Sequence, residues 1–150
     1  MMDKIFLELE DDAKQRLTDR IVELIRSESH VLRVDIHLCF ALRVLQYTNT
    51  EEIQQLLKDI YDDRKSEIIR RDIILIMALW GDWYWLSDLR NHYRQLSSPE
   101  KRALLVASYS LRDEGKHWRE NIKKELNPFE AFVLSWAGER VGKGKKDFPL

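Results

Sequence analysis

The sequence predicts an all-α fold, a right-handed array of helical hairpins with about eight helices in one domain. Three observations predict it. Only three prolines and five glycines occur in 150 residues. Three of those glycines lie at or beyond Gly138, so the middle of the chain is almost free of helix breakers. No stretch shows sustained two-residue alternation between turn signals, which removes strands from consideration. Finally, the segment Leu32–Leu42 recurs in altered form at Ile69–Leu79.

The elements follow in order from apolar spacing and from start and stop signals. A first helix spans about Asp12 to Arg26, with Leu17, Ile21, Leu24 and Ile25 as its apolar stripe. Ser27 to His30 breaks it. A second covers Val31 to Tyr47 and is apolar around most of its circumference. Thr48 and Glu51 have capping-box spacing and open a third, striped by Ile53, Leu56, Leu57 and Ile60. The fourth, Ser66 to Trp80, is again apolar nearly all round and is stopped by Gly81-Asp82. Trp85, Leu86, Leu89, Tyr93 and Leu96 mark a fifth. Ser98-Pro99 starts a sixth, with proline at the first helical position. A seventh begins near Gly115 and carries Trp118, Ile122 and Leu126. Asn127 and Glu130 cap the eighth, whose stripe is Phe129, Phe132, Val133 and Trp136. The domain is thus expected over residues 1–138, with 139–150 as a basic, flexible tail.

The repeat is the most informative feature. Arg33, Asp35, Ile36, Leu38, Ala41 and Leu42 match Arg70, Asp72, Ile73, Leu75, Ala78 and Leu79, an offset of 37 residues from Arg33 to Arg70. A weaker third copy sets Arg102, Leu105 and Leu111 opposite Arg70, Ile73 and Leu79. Two helices per unit at such a period mark a solenoid, in which each nearly all-apolar inner helix is covered by its neighbours. With Ala78-Leu79-Trp80-Gly81-Asp82 closing the second copy, the pattern resembles HEAT-like repeats. In such an array Arg33, Asp35, Arg70, Asp72 and Arg102 are expected to form an inter-repeat ladder, because charges near buried helices must be paired. A ligand-binding role for them is the alternative.

Composition limits the function classes. Apolar residues make up 44% and charged residues 34%, with a net charge of −1. That balance removes bulk attraction to nucleic acid or anionic lipid and leaves only local patches. The most apolar run, Ile73 to Trp80, is far too short to span a bilayer. The N-terminus lacks the apolar core of a signal peptide, and the single cysteine, Cys39, can form no intramolecular disulfide. A cytoplasmic protein without membrane attachment is expected. His30, His37, His92 and His117 have no partners at zinc-ligand spacing, and no phosphate loop or nucleophile elbow is present. No metal or cofactor is expected.

Two groups of residues could carry function. Trp83, Tyr84, Arg90, His92, Tyr93 and Arg94 form an aromatic and basic cluster of the kind that stacks on and neutralises single-stranded RNA. The competing reading makes Trp80 and Trp85 core, with Trp83 and Tyr84 at a helix junction, since large rings dominate helix packing. The second group is Arg112 and His117, whose Arg-x4-His spacing resembles that of HEPN-type metal-independent ribonucleases. There the two side chains act on the scissile phosphate. Against this, His117 also reads as a capping or packing histidine, and Gly115 falls inside the motif.

A further resemblance covers about half the chain, from Arg70 onward. Arg70-Arg-Asp-Ile-Ile-Leu75, Trp80-Gly-Asp-Trp-Tyr-Trp85, Ser108-Tyr109, Asp113-Glu-Gly-Lys-His-Trp-Arg119 and Asn127-Pro-Phe-Glu130 are similar to the helical extension that follows the polymerase domain in bacterial RNA-directed DNA polymerases. These are the reverse transcriptases of the retron and phage-defence type. No palm-domain Tyr/Phe-x-Asp-Asp motif is present, so no polymerase catalytic residue carries over. The resemblance implies a non-catalytic helical module that engages a polymerase domain, another protein or RNA.

Overall fold

Among the described residues, 2–142, the computed structural model is entirely helical, with ten α-helices, three 3₁₀ turns and no strand. The side chains of residues 2, 3, 112, 141 and 142 are not among those described. The chain divides into two compact units, Met1–Ile69 and Arg70–Leu150, where sequence reasoning expects a single domain.

The first unit contains α1 (Met2–Glu8), α2 (Asp11–Arg26), α3 (His30–Arg33), α4 (Asp35–Leu45) and α5 (Glu51–Asp63). Helices α1 and α2 both pack on α4, which buries Leu38, Ala41, Leu42, Val44 and Leu45. Helix α2 buries Thr18, Ile21 and Val22 and leaves Leu17 exposed, so its inner face is turned away from the expected stripe. It ends with Glu28 at φ 52°, a left-handed conformation that usually falls to glycine. The Ser29 and Glu28 amides close that end on the carbonyls of Leu24 and Ile25.

The expected second helix is broken in two. Val34 is extended, at φ −80° and ψ 122°, and separates α3 from α4. Arg64 explains why the break is tolerated. Its guanidinium donates to the carbonyls of Leu32 (2.7 Å) and Arg33 (3.1 Å), acceptors that a continuous helix would satisfy with its own amides. Helix α5 starts two residues later than expected. Thr50, not Thr48, accepts the Ile53 amide at 3.2 Å. Its stripe of Ile53, Leu56, Leu57 and Ile60 is buried as the spacing indicates.

Helix α6 (Glu67–Trp80) contains the division between the units after its first turn. Its C-terminus is a Schellman motif. Gly81 sits at φ 74°, its amide reaches Ala78 O (3.1 Å), and the Asp82 amide reaches Met77 O (3.0 Å). Asp82 then caps α7 (Trp83–Asn91) by accepting the Trp85 amide at 3.2 Å. Gly81 and Asp82 thereby end one helix and start the next.

The second unit continues with α8 (Ser98–Ala107), α9 (Arg112–Ile122) and α10 (Pro128–Gly142). Ser97 and Glu100 form a capping box on α8, with Pro99 at the second helical position. Asn127 and Glu130 make the same reciprocal bonds at the start of α10 (2.8 and 3.1 Å), each such cap contributing about 1 kcal/mol. Helix α10 packs on α8.

Two glycines depart from their expected roles. Gly115 lies within α9, not in a turn, and a Cβ there would collide with the Ser108 carbonyl oxygen. Gly138 does not end α10; a Cβ there would come within 2.6 Å of the Tyr109 hydroxyl. Both permit close helix approach. Residues 139–142 therefore belong to α10, whereas 143–150, the rest of the expected tail, lie outside the described residues.

Candidate functional site

The aromatic and basic cluster is divided by its environment. Tyr84 projects from α7 and is 88% exposed. Trp83 is half-buried with the Arg90 guanidinium 5.1 Å from its ring centre, and Arg90 donates to Ser87 Oγ (3.0 Å). The His92 ring lies 2.9 Å from the Asp88 carbonyl, and Arg94 holds Glu125 at 2.9 Å. Tyr93 is buried and meets Trp118 edge-on at 5.9 Å. Burial, reinforced by the negative charge of Glu130, pushes its phenol well above the usual tyrosine range. That phenol oxygen makes no hydrogen bond of good geometry with Glu130 or any other described group. A groove of about 350 Å³ runs past these residues, lined by Arg90, His92, Arg94, Trp118, Asn121 and Glu125 among others. Glu125 is the one carboxylate among these lining residues, and it is paired with Arg94.

His117 lies exposed on α9, its Nε2 3.1 Å from the Asn121 amide nitrogen. The Arg112 side chain is outside those described. The string around His117 has a clear packing role. Gly115 lets α9 approach Ser108, Trp118 enters the core, and Arg119 donates to the Ser108 carbonyl at 2.7 Å. The Arg119 guanidinium also stacks 4.0 Å from the Tyr109 ring centre, and burial lowers its pKa. Tyr109 in turn donates to the Leu134 carbonyl at 2.9 Å. One junction thus uses Ser108, Tyr109, Gly115 and Arg119, residues within two of the strings singled out in the sequence.

The charged residues of the repeat take separate partners. Asp35 lies 3.6 Å from Arg64, and the Arg33 side chain is exposed. Asp72 is buried and accepts from Arg71 Nε (2.9 Å) and Nη2 (2.6 Å). Arg70 lies 3.9 Å from Glu100, and Arg102 stacks on Phe129 at 5.5 Å.

The surface that sequence reasoning missed is on α10. Three of the four residues of the expected core stripe face solvent, Phe129 at 57% exposed, Phe132 at 64% and Trp136 at 36%, whereas Val133 is half-buried. The buried face is instead Glu130, Leu134 and Ala137. Both faces are helically spaced, so the sequence alone offered two apolar stripes, and the more aromatic one was the wrong choice for core. Packing on α8 buries the side that carries Leu134 and Ala137, and Glu130 lies on that side while bonded back to the Asn127 amide. The three rings expose on the order of 300 Å², a size at which monomer patches are often functional.

Among the described residues no helix is long and apolar enough to cross a membrane, and no group of three or more His, Cys, Asp or Glu could hold a metal ion. Comparison with protein families, with curated proteins and with solved structures found no match to this chain.

Proposed function

We propose that this chain is a non-catalytic helical binding module and that the outward face of α10 is where a protein partner docks. The observation that carries this reading is the exposure of Phe129, Phe132 and Trp136 at i, i+3 and i+7. Aromatic anchors on a helical seam are the usual core of a helix-in-groove or helix-on-helix interface. Protein is favoured over RNA because Tyr93 is buried and unavailable for base stacking, and Arg94 is paired with Glu125. The resemblance to the extension of bacterial RNA-directed DNA polymerases fits the same reading. A separate polymerase domain or a defence protein would then be the docked partner, and this chain would supply shape but no chemistry.

The test is a photo-crosslinking residue in place of Glu139, which is exposed one turn beyond Trp136. The expected result is a discrete protein adduct in cells that disappears when Phe132→Asp is added. A chain that yields no adduct there, while the same probe at Tyr84 captures RNA, would overturn the proposal.

A further inference from the structure

Resting on the docking reading above, the charges around the same face indicate what kind of partner it fits. A guanidinium frames each end of the aromatic stripe. Arg102, from α8, lies 5.5 Å from the Phe129 ring centre, and Arg140 lies 5.0 Å from that of Trp136. Stacking occupies the flat face of a guanidinium and leaves its in-plane N–H fork free to grip a carboxylate.

The other arginines of this unit with described side chains are differently employed. Arg70, Arg71 and Arg94 sit against Glu100, Asp72 and Glu125. Arg119 and Arg90 donate to Ser108 and Ser87. Among the described residues, neither Arg102 nor Arg140 has a carboxylate partner. Arg140 Nε is moreover buried without any hydrogen-bond partner. Of the two carboxylates on α10, Glu130 lies on the buried face and Glu139 is exposed at the edge of the stripe. Two held cations, uncommitted among the described residues, therefore stand at opposite ends of a helical apolar seam. From Phe129 to Arg140 the seam extends about 16 Å at 1.5 Å per residue.

We infer that this face receives an acidic amphipathic helix of a partner protein, its apolar side laid along Phe129, Phe132 and Trp136 and its carboxylates held by Arg102 and Arg140. The guanidinium pair requires acidic residues on the partner about three helical turns apart. Charge complementarity of this kind sets specificity and orientation more than raw affinity.

The experiment uses the full chain and two labelled synthetic amphipathic helices of about 18 residues. They share one leucine stripe and differ only in flanking Glu or Lys. Fluorescence anisotropy should show the Glu peptide binding at least about tenfold more tightly, with the preference shrinking as salt rises. The double reversal R102E/R140E should transfer the preference to the Lys peptide. Phe132→Asp, with helicity unchanged by circular dichroism, should abolish binding of both.

Equal affinity for the two peptides, lost for both in Phe132→Asp, would leave the docking face standing and overturn the acidic partner. If neither peptide binds and the chain sediments as a dimer that Phe132→Asp dissociates, the occupant is a second copy and the inference is wrong. If neither binds and the chain is a monomer, the inference and the docking reading fall together.

Discussion

The segments Leu32–Leu42 and Ile69–Leu79 share six residues in register, yet the chain packs them differently. Ile36 is 59% exposed whereas its counterpart Ile73 is fully buried, and Leu42 is fully buried whereas Leu79 is 64% exposed. Only Ala41 and Ala78, each 6% exposed, have matching environments among the shared apolar positions. Asp35 lies in the first turn of α4, where a carboxylate complements the helix dipole. Asp72 lies one turn further into α6, buried against Arg71. The break at Val34 restarts the helix in the first copy only, so identical residues occupy different faces. Shared sequence here specifies that both segments are helical, but not which side of each is covered.

The sharpest way to break that comparison is to truncate the same isoleucine in each copy. Ile73→Ala should destabilise the protein by about 2–5 kcal/mol in urea unfolding, the range for a buried aliphatic side chain. Ile36→Ala should change stability by less than about 0.5 kcal/mol. The leucine pair should show the reverse order, with Leu42→Ala costly and Leu79→Ala nearly silent. Equal costs within either pair would mean that the two copies are packed alike after all.

A smaller contrast is expected at the carboxylates. Asp72→Ala removes a buried acceptor of two hydrogen bonds from Arg71. Arg71 can turn partly to water, since its side chain is 36% exposed, so a loss of about 1–3 kcal/mol is expected and not the full penalty of an orphaned buried charge. Asp35 is half exposed and its Arg64 contact is long, which places Asp35→Ala within about 0.5 kcal/mol of the parent. Thermal and urea unfolding of the two variants side by side would measure the difference.

Helicity was legible in the sequence because it depends on local spacing, on few breakers and on caps such as Ser97 with Glu100 and Asn127 with Glu130. Orientation was not, because it depends on distant partners. Nothing within Val31–Tyr47 signals the break at Val34, and Arg64, which satisfies the carbonyls freed there, lies about thirty residues away. The outward turn of Phe129, Phe132 and Trp136 was hidden for a similar reason. Helix α10 is apolar on two sides, and its packing on α8, a partner about thirty residues earlier, decides which side is buried. Gly115 read as a turn because a glycine that admits a neighbouring carbonyl looks the same in sequence as one that ends a helix.

Arg64 therefore offers the finest test of why the copies differ. It donates to two carbonyls at the end of α3 and also lies near Asp35. If the carbonyl bonds are what hold the break open, Arg64→Ala should cost about 1–2 kcal/mol, more than Asp35→Ala, because capping a helix end contributes more than an exposed ion pair. Amide hydrogen exchange should then rise first around Val34, where backbone acceptors lose their donor. A double variant removing both Arg64 and Asp35 should lose little beyond Arg64→Ala alone. If instead the two single losses match and exchange near Val34 is unchanged, the ion pair sustains the break and the backbone bonds are incidental to it.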